Sequence, residues 1–213
     1  MPRFFALVLT ALIGVGIIAV VIAILVGQAR QAANPDLFAQ CRATHVAGGS
    51  GSLGGPFTLI NEAGQTVTDA DVITEPALLY FGYTFCPDIC PLDTVRNAEA
   101  VDILTSQGRN TRPVFVSVDP ARDTPAVLAA FTDNIHPQMM GLTGTQDQID
   151  AITDAYGVYY RVNQHEDDPY YLVDHTGFTY LVLPQHGFVE FFHRDASPAQ
   201  VAERTACFID AAF

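Results

Sequence analysis

Ala77-Leu78-Leu79-Tyr80-Phe81-Gly82-Tyr83-Thr84-Phe85-Cys86-Pro87-Asp88-Ile89-Cys90 is the stretch that decides the fold of this chain. It opens with a continuous apolar run through Tyr83, the pattern of a strand covered on both faces. The residues after Cys90 read as a helix, so two thiols stand where a buried strand hands over to a helix. In α/β sheets that end of the strands is where ligands bind. Three residues separate the cysteines, which makes them i and i+4 rather than i and i+3. A helix starting near Pro87 puts both sulfurs on one face of its first turn. Partial positive charge and unpaired N–H groups at a helix N-terminus stabilise thiolate and lower a cysteine pKa. Two such thiolates can close into a disulfide or hold a soft metal, and the pair alone leaves both open.

Outward from this stretch, Phe57-Thr58-Leu59-Ile60 and Gln65-Thr66-Val67-Thr68 flank Asn61-Glu62-Ala63-Gly64 and predict a hairpin. Leu92 to Gln107 carries Val95, Ala98, Val101 and Leu104 at helical spacing and stops before Gly108. Pro113 to Val118 predicts a second central strand. Thr124 as N-cap and Pro125 at the first helical position predict a helix through about Asp133, and Thr145 caps another through Ala155. Thr179 to Leu183 and Val189 to Phe192 pair across Pro184-Gln185-His186-Gly187, and Ser197-Pro198 opens a last helix to about Ala211. That order predicts an α/β fold, a thioredoxin-like mixed sheet with flanking helices. Tyr159 to His175 reads as a long loop between helix and strand, the kind of segment that tends to be functional.

The chain's 213 residues begin with an apolar stretch, Phe4 to Val26, long enough to cross a bilayer as one N-terminal transmembrane helix. It lacks the small-residue cleavage pattern of a signal peptide, which favours an uncleaved anchor. Arg3 before the span and Arg30 and Arg42 after it leave the positive-inside rule nearly balanced. A short leader before a large domain most simply holds that domain outside the cytoplasm. The expected organisation is an anchor over 1–27, a flexible linker over 28–54 and one folded domain over 55–213. The glycine-rich Gly48 to Gly55 closes the linker and lacks the Lys-Ser/Thr ending of a phosphate-binding loop. Ten basic residues, all Arg, against 23 acidic ones give a net charge of −13. That balance argues against nucleic acid or an anionic membrane surface as partner and fits a basic one.

Two further cysteines, Cys41 and Cys207, lie just after the anchor and near the end of the last helix. In an oxidising compartment they can pair and tie the linker to that helix; otherwise they are two unrelated buried thiols. Cu(I) on two thiolates is still short of a three-coordinate site, and imidazole is the usual supplement. Of the six histidines, His45 falls in the linker, His136 in a turn, His165 in the acidic run through Asp168, His186 in a hairpin turn and His193 after a strand. His175 differs, because it ends the long loop immediately before Thr179 to Leu183. In a thioredoxin-like sheet that loop lies beside the one carrying the cysteines.

Phe81 to Pro91 resembles the signature of the Sco/SenC family of copper-binding cytochrome c oxidase assembly proteins. Val118-Asp119-Pro120-Ala121-Arg122-Asp123-Thr124-Pro125 resembles its second block. Gly141-Leu142-Thr143-Gly144-Thr145 and Tyr171-Leu172-Val173-Asp174-His175-Thr176 resemble its third and fourth. The resemblance covers about Gly55 to Phe192. It implies a membrane-anchored domain that binds copper through Cys86, Cys90 and His175, as Cu(I) and with Cu(II) left open. It also implies a role in building the binuclear copper centre of cytochrome c oxidase subunit II. Pro91-Leu92-Asp93-Thr94 departs from the usual threonine and glutamate after the second cysteine. Cys41 and Cys207 lie outside the general pattern, so a bond between them marks a subgroup.

The reading that follows is a copper metallochaperone, with Asp174 orienting the imidazole and Asp119, Arg122 and Asp123 shaping the rim, docking a partner, or serving only as cap and local ion pair. Its partners would be subunit II, a copper donor protein and a thiol reductant, with the membrane reached through the anchor and no nucleic acid. The alternative is a thiol–disulfide oxidoreductase that uses Cys86 and Cys90 to reduce the subunit's cysteines before metallation. A peroxiredoxin shares the fold, but Tyr83 and Leu79 stand where its threonine and proline are required. With no transit-type presequence, the expected location is a bacterial inner membrane with the domain in the periplasm.

Overall fold

The computed structural model describes residues 16–25, 36–43, 53–163 and 170–213. The chain divides into two units, Met1–Gln40 and Cys41–Phe213. In the first, residues 16–25 form a helix, α1, with exposed apolar side chains. Among the described residues no helix is long and apolar enough to cross a membrane. The rest of the expected anchor and most of the expected linker, His45 included, lie outside the described residues.

The second unit opens with the hairpin β1 (Thr58–Asn61) and β2 (Thr66–Thr68) and a single turn, α2 (Asp69–Val72). It continues through β3 (Ala77–Gly82), α3 (Ile89–Ser106), β4 (Arg112–Ser117), α4 (Pro125–Asp133), β5 (Met140–Thr143) and α5 (Gln146–Tyr156). Then come β6 (Tyr160–Asn163), β7 (Leu172–His175), β8 (Thr179–Leu183), β9 (Gly187–Phe192) and α6 (Pro198–Ala212). One seven-stranded sheet has the order β2-β1-β5-β4-β3-β8-β9, and β6 and β7 form a separate two-stranded ribbon. β3, β4 and β5 are parallel; β8 pairs antiparallel with β3, and β9 antiparallel with β8. The mixed thioredoxin-like architecture is therefore the one its element order predicts.

Every residue of β3 is buried, as its unbroken apolar run requires. Tyr80 and Gly82 face α3 and Phe115, while Phe81 meets Tyr156 of α5 and Tyr180 on the opposite face. Three helix starts are set by the cap chemistry read from sequence. Thr124, Thr145 and Ser197 accept the N–H of Val127, Gln148 and Gln200 through their hydroxyls. β5 carries no strand signal of its own, since Met-Gly-Leu-Thr is four residues long and contains glycine. It forms because β4 and β1 both present open ladder edges to it.

The segment Tyr159 to His175 is not the loop that its lack of a clear period suggests. Its ends pair as β6 and β7, with Tyr160 opposite His175 and Val162 opposite Val173. Each strand is too short for its alternation to stand out. The acidic run between them, with His165 and its neighbours to Asp168, lies outside the described residues.

Cys41 and Cys207 form a disulfide with their Cα atoms 5.7 Å apart. Arg42 donates from its guanidinium to the Val189 carbonyl, and the Ala43 N–H donates to Glu190 at 3.1 Å, so the segment lies along β9. β9 is an edge strand, and covering it hides backbone groups that could recruit another chain. β9 runs parallel to β3, so α6 starts at the cysteine end of the sheet and Cys207 lies toward the other end. Arg109, just past the end of α3, pairs there with Asp210 at 2.7 Å.

Candidate metal centre

β3 ends at Gly82, and the chain crosses Tyr83 to Asp88 before α3 begins at Ile89. The helix therefore starts two residues later than the expected start near Pro87. Asp88, with φ −139° and ψ −63°, is the residue outside it and makes no side-chain cap. Cys86 precedes the helix, and only Cys90 lies in its first turn. The cap is supplied by sulfur instead, because the Cys90 N–H donates to Cys86 Sγ at 3.4 Å. Both cysteines are free thiols; Cys90 is fully buried and Cys86 nearly so.

β7 delivers His175 to the same place. Its Nε2 lies 3.2 Å from Cys90 Sγ, and one donor atom from each of Cys86, Cys90 and His175 falls within 4.8 Å of the others. His175 Nδ1 lies 3.2 Å from the Thr176 carbonyl. A carbonyl only accepts, so Nδ1 carries a hydrogen, and Nε2 is the ring atom turned toward the sulfurs. Tyr80 and Tyr83 meet the imidazole edge-on at 6.1 and 5.9 Å between centroids, which fixes its plane. Asp174 does not orient it. Successive strand residues point to opposite sides, and the exposed Asp174 carboxylate faces Arg161 at 4.0 Å.

The Cys90 thiol donating to Cys86, the His175 imidazole and the N–H groups of Asp88 and Cys90 hold Cys86 well below the usual thiol range, against its burial. The same sulfur–sulfur contact and burial push Cys90 up. Within the pair the negative charge is therefore favoured on Cys86 and the proton on Cys90. Gly82 makes room for this, since a Cβ there would sit 2.9 Å from Cys90 Sγ and 2.9 Å from the Tyr80 ring. Glycine inside an apolar strand was the sequence signal for that close approach.

Behind Cys90 lies a buried polar network without an obvious sequence signal. The Tyr80 hydroxyl donates to Asp93 at 3.1 Å, and Arg96 pairs with Asp93 at 3.7 Å. Arg96 and Asn97 then donate to the Thr179 hydroxyl at 2.7 and 3.0 Å, tying α3 to the first residue of β8. Burial pushes the Asp93 carboxyl up and Arg96 draws it back. On the other side Asp123 is fully buried and accepts from the Thr84 N–H at 3.0 Å, the Thr84 hydroxyl at 2.6 Å and Ser117 at 2.5 Å. Asp119 is equally enclosed, so these two acids brace the site from inside rather than present a docking face.

A thioredoxin-like domain with two thiols and an imidazole converging at the end of its central strand offers a soft, three-donor set. Residues 46–210 match the SCO1/SenC family model, and the chain belongs to that family. It is 55% identical over 176 residues to Protein SenC of Rhodobacter capsulatus, covering 83% of this chain and 79% of that one. The crystal structure of Arabidopsis thaliana ScoI with copper bound matches at a TM-score of 0.69 and 37% identity, over 74% of this chain and 99% of that one. BsSco, a member of the Sco family of cytochrome c oxidase assembly proteins in which a disulfide switch was identified, matches at 0.58 and 26% identity. That match covers 73% of this chain and 93% of BsSco.

Proposed function

We propose that this protein is a copper metallochaperone whose cargo is Cu(I), held by the Cys86 and Cys90 thiolates and His175 Nε2. The observation that carries the reading is the convergence of those three donor atoms within 4.8 Å. Two thiolates and one imidazole suit a soft monovalent ion. The copper-bound relative supports the same reading. The delivery target is the binuclear copper centre of cytochrome c oxidase subunit II, in keeping with the assembly role attached to BsSco. A copper donor protein and a thiol reductant complete the cycle, because only the reduced pair offers thiolates. The proposed setting is a bacterial inner membrane, with an anchor over 1–27, a linker over 28–54 and the domain over 55–213 in the periplasm. The apolar run Phe4 to Val26 supports the anchor. The test is copper transfer: Cu(I)-loaded protein mixed with the apo copper domain of subunit II should form that centre, and Cys86→Ala protein should not.

A second reading has its own support. Cys86 is held as a thiolate against the Cys90 thiol, an arrangement suited to thiol–disulfide exchange on a partner's disulfide. Reduction of oxidised subunit II cysteines by metal-free protein, undiminished in His175→Ala, would favour the oxidoreductase.

A further inference from the structure

We infer that Arg122, Asp119 and Tyr171 form a clasp that positions His175 against the two cysteines. The consequence for copper rests on the reading above; the clasp itself rests on geometry. The cysteines belong to an arm rooted in β3, whereas His175 rides on the β6–β7 ribbon, which shares no ladder with the main sheet among the described residues. Beyond the short chain link from His175 to Thr179 of β8, side-chain contacts hold one arm to the other.

The loop between β4 and α4 grips both. The Arg122 guanidinium carbon lies 3.5 Å from the ring centre of Tyr171, on the ribbon arm. On the cysteine arm it lies 4.9 Å from the ring centre of Phe85 and 5.6 Å from that of Tyr83. Tyr83 is itself one of the rings edge-on to His175. Asp119 closes the clasp, accepting from Arg122 Nε at 2.5 Å and from the Tyr171 hydroxyl at 2.8 Å. Asp123, next in sequence to Arg122, pins Thr84. A planar guanidinium can stack on rings and present an N–H edge to a carboxylate at once; the ammonium of lysine cannot. Arg122 and Asp119 are thus positioning residues that act through Tyr171 and Tyr83 on His175.

Arg122→Lys and the milder Tyr171→Phe test this, beside wild type and His175→Ala, with folding checked by circular dichroism. In reduced, metal-free protein the His175 ring resonances should move away from their wild-type shifts as the Tyr83 and Tyr80 ring currents are lost. With Cu(II) as probe, the variants should keep thiolate charge-transfer absorption and lose imidazole nitrogen hyperfine structure. Cu(I) affinity should fall roughly tenfold to a hundredfold in Arg122→Lys, the range of an outer-shell support, and fall no further when His175→Ala is added. Unshifted His175 resonances with intact nitrogen hyperfine structure in both folded variants would overturn the clasp. If wild type takes up no copper, the copper reading fails while the metal-free resonances still decide the clasp.

Discussion

Replacing Gly82 with alanine tests the link between core packing and the metal centre. The new methyl would lie 2.9 Å from Cys90 Sγ, 2.9 Å from a Tyr80 ring carbon and 3.1 Å from a Phe115 ring carbon. Ordinary contact is about 3.5–4.0 Å, so all three neighbours are overlapped. All three are buried in a packed interior, where one excess methylene costs about 1–3 kcal/mol. Taking roughly 2 kcal/mol, a domain of this size should lose about 4–8 °C in Tm. The neighbour on the sheet's open end is the sulfur, so Cys90 moves, and Cu(I) affinity should drop roughly tenfold or more. Gly141→Ala is the control. Its Cβ would crowd Leu128 at 3.0 Å and Glu62 at 2.7 Å, away from the site. Thermal unfolding of reduced, metal-free protein and Cu(I) competition titrations should separate the two variants. The control should lose stability alone; Gly82→Ala should lose both. A Gly82→Ala protein within about 1 °C of wild type and with wild-type affinity would refute the packing account. Equal loss of affinity in Gly141→Ala would show that affinity merely follows stability.

The Cys41–Cys207 bond spans a sequence separation of 166, and the chain-entropy relation gives about 5 kcal/mol as its largest contribution. Cys41→Ser with Cys207→Ser should lower the denaturant midpoint by a large part of that, while Cu(I) affinity stays at wild type. The thiol pair gives a pH prediction with two signs. Cys86 is depressed, so its stabilising contribution is whole above the ordinary thiol range and fades as pH falls through its lowered value. Cys90 is raised, so its contribution is whole below that range and fades as pH rises through its higher value. Ultraviolet thiolate absorbance of reduced protein should therefore report one thiolate at about pH 6, where ordinary thiols are protonated, and none in Cys86→Ser.

The sheet was legible wherever burial or capping left a local mark. β3 announces itself because both faces are covered, and α4, α5 and α6 because Thr124, Thr145 and Ser197 each cap a helix. β5, β6 and β7 were not legible, since four-residue strands draw their stability from partners distant in sequence. The three donors could be nominated from spacing, position and family resemblance, but the supports around them could not. Asp174 looked suited to orient the imidazole because it is adjacent in sequence, and strand alternation turns it away. The partners that do shape the site, Tyr80, Arg96 and Thr179 with Tyr171 and Arg122, come from separate segments of the chain. Only the tertiary fold brings them together.

The most direct test of the central claim is an anaerobic Cu(I) titration against a competing chelator, using protein from Ala32 onward in which Cys86 and Cys90 are reduced and the Cys41–Cys207 bond is intact. Wild type should bind one Cu(I) tightly, Cys86→Ala and Cys90→Ala should lose that binding, and His175→Ala should bind clearly more weakly. Wild-type binding no tighter than that of a simple dithiol, or affinity indifferent to His175, would contradict a three-donor copper site.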